Sequence, residues 1–138
     1  MTKRLCLSPA EIEQKLNDAG VQPTLQRIAI FRHILCEADH PTADQVREWA
    51  EKNLDKISQA TVYNTLGTLV EAGLLQALRL PHSDKVIYDH NIEDHHHFLD
   101  EKSGRLYDLP EEDVEVTYKL PKKFRAHRVD VVVKGRVE

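Results

Sequence analysis

Ser58-Gln-Ala-Thr-Val-Tyr-Asn-Thr-Leu-Gly-Thr-Leu-Val-Glu-Ala-Gly73 is the stretch on which the fold turns. Ser58 suits an N-cap, Val62, Leu66, Leu69 and Val70 recur at helical spacing, and Gly73 supplies a C-terminal stop. The opposite face carries Ser58, Gln59, Thr61, Tyr63, Asn64, Thr65 and Thr68, with no acidic residue before Glu71. Such a face offers hydrogen-bond donors and acceptors and one aromatic ring, and it carries no negative charge that would repel phosphate. It fits a helix that enters the major groove of DNA, although a solvated helix face would look the same.

Upstream, three more helices announce themselves by their caps. Ser8-Pro9-Ala10-Glu11 is a capping box with proline at the first helical position, followed by Ile12, Leu16 and Ala19 until Gly20. Thr24 opens a second helix with Ile28, Phe31, Ile34 and Leu35 inward, ending near Glu37. Thr42 with Gln45 caps a third, whose apolar face is Val46, Trp49 and Ala50. His40 precedes Pro41 and so belongs to a loop. Downstream, residues 74–80 and 86–88 read as extended, with the turn formers Pro81 to Lys85 between them. Helices followed by a hairpin predict an α+β chain whose residues 1–88 form a winged helix-turn-helix, the fourth helix reading DNA and the hairpin lying along the backbone.

Composition narrows the rest. The 138 residues, 41% hydrophobic and 30% charged, suffice for one domain or two very small ones. No apolar run approaches the ~18 residues of a membrane span, and the first nine residues lack a signal peptide's apolar core, so a cytoplasmic location without membrane attachment is expected. Cys6 and Cys36 are the two cysteines and neither lies in a C-x-x-C, which disfavours both a disulfide framework and a thiolate zinc site. Net charge is −1 over residues 1–88 and −3 over 89–138, so DNA binding has to be argued from architecture rather than from charge.

Residues 89–138 carry the unusual chemistry. Asp-His-His-His-Phe (94–98) lies in a predicted strand at 95–99, joined by a turn to another at 104–108. Side chains alternate along a strand, so His95 and His97 share one face and His96 takes the other. Asp89 upstream and Asp108 on the second strand are the nearest carboxylates, and His40 could complete the set. Imidazoles and carboxylates without thiolate make a moderately hard site suited to Fe(2+) or Mn(2+), with Zn(2+) able to compete in vitro on raw affinity. Exposed strand histidines are the competing explanation. Valines 129, 131 and 133 on one face of a terminal strand, with Val132 on the other, suggest a strand either paired at a sheet edge or buried against a partner copy, and the second is preferred. Val114, Val116, Tyr118 and Leu120 also alternate like a strand.

Segments 18–27, 40–46, 58–66, 71–75 and 88–98 resemble, in order, those of the Fur family of metalloregulators. The resemblance implies a dimeric transcriptional regulator, usually a repressor of peroxide-stress or iron-homeostasis genes, and not an enzyme. It implies a winged-helix domain (1–88), a metal-binding α/β dimerisation domain (89–138), and a palindromic double-stranded DNA operator. Its regulatory metal site falls on His40, Asp89, His95, His97 and Asp108. Asp108 looks like the peroxide-sensing branch, in which His40 and His95 would be the oxidisable pair. Tyr63 and Asn64 would approach bases, with Gln59 and Thr65 on the same face, while Thr24, Arg27, Ser58, Thr61 and Arg79 would meet phosphate. A second metal set would be Asp94, His96, Glu115 and His127, set against a plain polar surface. Asp100 and Ser103 stand where many members carry the first C-x-x-C, so a structural zinc held by four cysteines is not expected. The triple histidine and the ending from His127 are similar to the haem-responsive branch, leaving haem as an alternative signal. A non-haem metalloenzyme is disfavoured, because five protein ligands leave little room for substrate and no partnered nucleophile is evident.

Overall fold

The structure is a computed structural model that describes residues 6–79 and 84–138, and these fall into two compact units that divide between Ile92 and Glu93. The first unit begins with four helices: α1 (Pro9–Asp18), α2 (Leu25–Cys36), α3 (Ala43–Asn53) and α4 (Gln59–Glu71). Each starts where a side chain relieves the unpaired amides of the first turn. Ser8 and Thr42 form full capping boxes with Glu11 and Gln45, and the hydroxyls of Thr24 and Ser58 accept from the amides of Arg27 and Thr61. Gly73 ends α4 at φ +77°, in the left-handed region that glycine enters without steric cost.

Ile12, Leu16, Ile30, Phe31, Ile34, Leu35, Val46, Ala50, Val62, Leu66 and Leu69 are all sealed in a single core. Ile30 belongs to it although it lies outside the expected stripe; Ile28, inside that stripe, is only partly buried. The strands β1 (Gln76–Arg79) and β2 (Val86–Asp89) pair antiparallel, Gln76 opposite Asp89 and Arg79 opposite Val86. Helices and hairpin together make the winged-helix arrangement. The tip of the wing, Leu80 to Ser83, lies outside the described residues.

The second unit is a three-stranded sheet ordered β4-β3-β5. Strands β3 (His95–Asp100) and β4 (Leu106–Pro110) pair antiparallel, placing His97 opposite Asp108. Strand β5 (Val132–Gly135) lies parallel to β3. β4 returns the chain to the end of the sheet where β3 begins, with Pro110 opposite His95, and residues 111–131 then cross over to the other edge of β3. After a short 3-10 turn at Glu111–Asp113 the crossover has no regular element, so the strand-like alternation of Val114 to Leu120 is not realised as a strand. Alternation specifies two faces but supplies no neighbouring backbone, and both edges of β3 are already taken. Of the terminal valines, Val132 and Val133 lie in an edge strand paired with β3, and Val133 and Val137 remain exposed. A Cβ at Gly135 would come within 3.1 Å of the Phe98 ring, so glycine lets β5 close on β3.

Among the described residues, no helix is long and apolar enough to cross a membrane.

Candidate metal centre

Each unit carries part of the predicted ligand set. In the second unit, strand register brings Asp108 to the face shared by His95 and His97. Its Oδ1 lies 3.5 Å from His95 Nε2 and 3.3 Å from His97 Nε2, and the two imidazoles are 4.5 Å apart between centroids. All three residues are buried. His95 Nδ1 lies 2.6 Å from the carbonyl of Glu93, an acceptor only, so Nδ1 donates and Nε2 is the ring nitrogen turned toward Asp108.

The first unit repeats the pattern. His40 Nδ1 is 2.9 Å from Asp39 Oδ1, and its Nε2 is 3.4 Å from Asp89 Oδ2. Asp89 is buried, and its other oxygen accepts from the amide of Asn91 at 2.9 Å. The His40 loop is tied to the wing, since the Tyr88 amide donates to the Pro41 carbonyl and Thr42 bridges to Ile87. His40 has φ +45°, a conformation that costs a non-glycine residue of order 1 kcal/mol and that clusters at functional sites.

These geometries fit metal ligation. Two atoms each ~2.1 Å from one ion and ~100° apart lie ~3.2 Å from each other, close to the 3.3–3.5 Å seen here. Charge-assisted hydrogen bonds are usually shorter, ~2.7–2.9 Å. A ligating histidine also characteristically donates its second ring nitrogen to a carbonyl or carboxylate, as Glu93 and Asp39 allow here. Sequence reasoning does not reach Asp39 or Glu93. Adjacency to His40 is a usable signal for Asp39, whereas Glu93 acts through a backbone carbonyl and leaves none.

The model of the ferric uptake regulator family matches residues 18–133. The chain belongs to that family. Among curated members, the peroxide-responsive repressor PerR of Staphylococcus epidermidis is 36% identical over 94 residues, 68% of this chain and 62% of that protein. The PerR of Staphylococcus aureus is 34% identical over the same length and share of this chain, and 63% of its own. The chain thus spans less than two thirds of the curated relatives it matches. The fold is shared with the manganese-containing ferric uptake regulator of Pseudomonas aeruginosa, with a TM-score of 0.66, 20% identity, and 91% of this chain and 97% of that one covered. It is also shared with PerR from Streptococcus pyogenes, with a TM-score of 0.54, 21% identity, and 99% and 96% covered.

In this family member, Asp100 and Ser103 form a hydrogen-bonded clasp. Asp100 Oδ2 accepts from the Ser103 hydroxyl at 2.8 Å and Oδ1 from the Lys102 amide, while Ser103 Oγ accepts from the Arg105 amide. The Ser103 hydroxyl and the Lys102 amide hold the Asp100 carboxyl below its usual range. The hairpin is closed by oxygen and nitrogen where thiolates could have stood.

On α4, Ser58, Gln59, Tyr63 and Asn64 are exposed and Thr61 is partly so. Thr65 is not: it is 2% exposed and turned toward the core, because position 65 lies one residue before Leu66 and three after Val62, on the edge of the buried stripe. It must be removed from the DNA-facing set. The face is also not free of acid, since the Tyr63 hydroxyl donates to Asp44 Oδ1 of α3 at 2.9 Å. Thr24 and Arg79 are exposed, and Arg27 Nη1 donates to the Gln22 carbonyl at 3.0 Å.

The second ligand set is not assembled among the described residues. Asp94, His96 and His127 line one cavity of about 380 Å³, and the glutamate that lines it with them is Glu111, not Glu115. His96 Nδ1 accepts the Val131 amide at 3.1 Å, a structural tie between β3 and the segment before β5.

Proposed function

We propose that this chain is a homodimeric, metal-dependent transcriptional repressor in which one Fe(2+) or Mn(2+) ion is held jointly by His40, Asp89, His95, His97 and Asp108. The observation that carries this reading is the repeated ligand geometry: in each unit an imidazole is oriented through Nδ1 and presents Nε2 at 3.4 or 3.5 Å from a buried carboxylate. The donors are nitrogen and oxygen only, which suits these two ions. Residues 90–94 connect Asp89 to His95, so the two ligand groups are covalently close, and an ion shared between them would restrict the orientation of the winged helix relative to the sheet.

That restriction is the regulatory step. A dimer reading a palindromic operator in the cytoplasm must hold its two recognition helices about one duplex turn, ~34 Å, apart. Moving a population from 1:99 to 99:1 in favour of that spacing takes ~5.5 kcal/mol of preferential binding, within reach when ligands from one unit join those of another. Tyr63, Asn64 and Gln59 would then meet base edges, with Thr24, Arg27, Ser58, Thr61 and Arg79 on phosphate. Release of Tyr63 from Asp44 accompanies this contact.

Asp108 and the PerR relatives favour peroxide as the signal. Iron(II) bound here would supply electrons for peroxide reduction, with His40 or His95 the group oxidised. Loss of either imidazole as a ligand would unlock the units. The test is a fluorescence titration of operator DNA with Mn(2+) or Fe(2+) added and chelated. His40→Ala should abolish the metal-dependence while leaving the dimer intact, and unchanged metal-dependence would defeat the proposal.

A further inference from the structure

Away from these residues, the two cysteines lie together. Arg32 Nε donates to the Leu7 carbonyl at 2.9 Å and draws the segment before α1 against α2. Arg32 and Cys36 are four residues apart on that helix and so share a face. The chain before Leu7 therefore arrives beside position 36, where the Cys36 thiol is hydrogen-bonded to that of Cys6 and meets the Leu7 backbone amide. Cys6 is exposed and Cys36 half-buried.

We propose that Cys6 and Cys36 form a reversible disulfide on exposure to hydrogen peroxide, a redox site of this chain separate from the histidine and carboxylate residues. The exposed Cys6 attacks first. Its thiolate sulfur bonds to one peroxide oxygen, the O–O bond breaks, and the departing hydroxide takes a proton to become water, leaving a sulfenic acid. Cys36 then attacks the Cys6 sulfur, the S–O bond breaks, and a second water leaves. Two thiols lose two hydrogens and two electrons, and one peroxide becomes two waters. Burial and the Cys6 thiol raise the Cys36 thiol above its usual range, which suits it to the second, resolving position rather than the first. The bond would staple the start of the first unit to the C-terminal turn of α2.

The test uses the full chain, freed of metal by a chelator so that its outcome is independent of the proposed metal centre. After treatment with hydrogen peroxide, both free thiols should disappear together, intact mass should fall by about 2 Da, and tryptic peptide Leu5–Lys15 should be linked to His33–Arg47, reversibly by dithiothreitol. The closed loop should raise the melting temperature by roughly 5 °C or more. Cys36→Ser should instead add oxygen at Cys6 without an internal cross-link. Survival of both thiols, oxygen retained on Cys6 of the unsubstituted chain, or a Cys6 to Cys6 link between chains would each overturn the proposal.

Discussion

The two units bury opposite kinds of side chain. The first encloses thirteen hydrophobic residues in one cluster, whereas the described residues from Glu93 onward bury Leu106 as their one hydrophobic residue alongside His95, His96, His97, Asp100 and Asp108. Apolar burial at ~25 cal/mol per Å² stabilises the first without outside help. The second holds polar groups that have to be matched by hydrogen bonds or by a cation, and it leaves Val116, Tyr118, Leu120, Phe124 and Val137 exposed. The lesson is that the helical unit is built around its own apolar core, and the sheet unit to depend on what joins it.

The largest effect should come from cutting the apolar core. Leu66 is fully buried, and Leu66→Ala should cost about 2–5 kcal/mol in urea unfolding under chelating conditions. A loss below about 1 kcal/mol would erase the contrast between the units. On the other side, Phe124 is 65% exposed in the single chain. If this surface seats a second copy, Phe124→Ser should weaken dimerisation roughly tenfold in sedimentation equilibrium; an unchanged dissociation constant would remove Phe124 from the interface. Smaller again, Thr42→Ala removes the hydroxyl that caps α3 and should cost about 1 kcal/mol in the same urea experiment.

The smallest effect concerns pH. His33 stacks on Trp49 at 3.9 Å, and burial holds its imidazole below the usual range against the opposing pull of Glu37. The folded chain therefore binds this proton more weakly than the unfolded one. The stability it protects is present above about pH 6.5 and declines as pH falls below that value. His33→Gln should flatten this acid limb in melting curves taken under chelation, and an unaltered limb would assign it elsewhere.

Much of this division is legible in the sequence. Every helix of the first unit is readable from its cap, because a hydroxyl three residues before an amide is a local signal. The shared face of His95 and His97 follows from strand alternation alone. Thr65 is easily misplaced because a small polar residue beside the stripe can turn either way, and which way depends on tertiary packing. Residues 114–120 show the limit of the alternation signal: they alternate like a strand yet pair with none. His40 needs the family pattern, since no local spacing joins a loop at 40 to a strand at 95.

The central claim is a single ion shared by the two units, and a crystal structure of the chain grown with Mn(2+) tests it most directly. One ion per chain is expected, bound by Nε2 of His40, His95 and His97 and by oxygens of Asp89 and Asp108, with metal–ligand distances of ~2.0–2.3 Å. An ion held by His95, His97 and Asp108 while the His40 imidazole turns into solvent would contradict it.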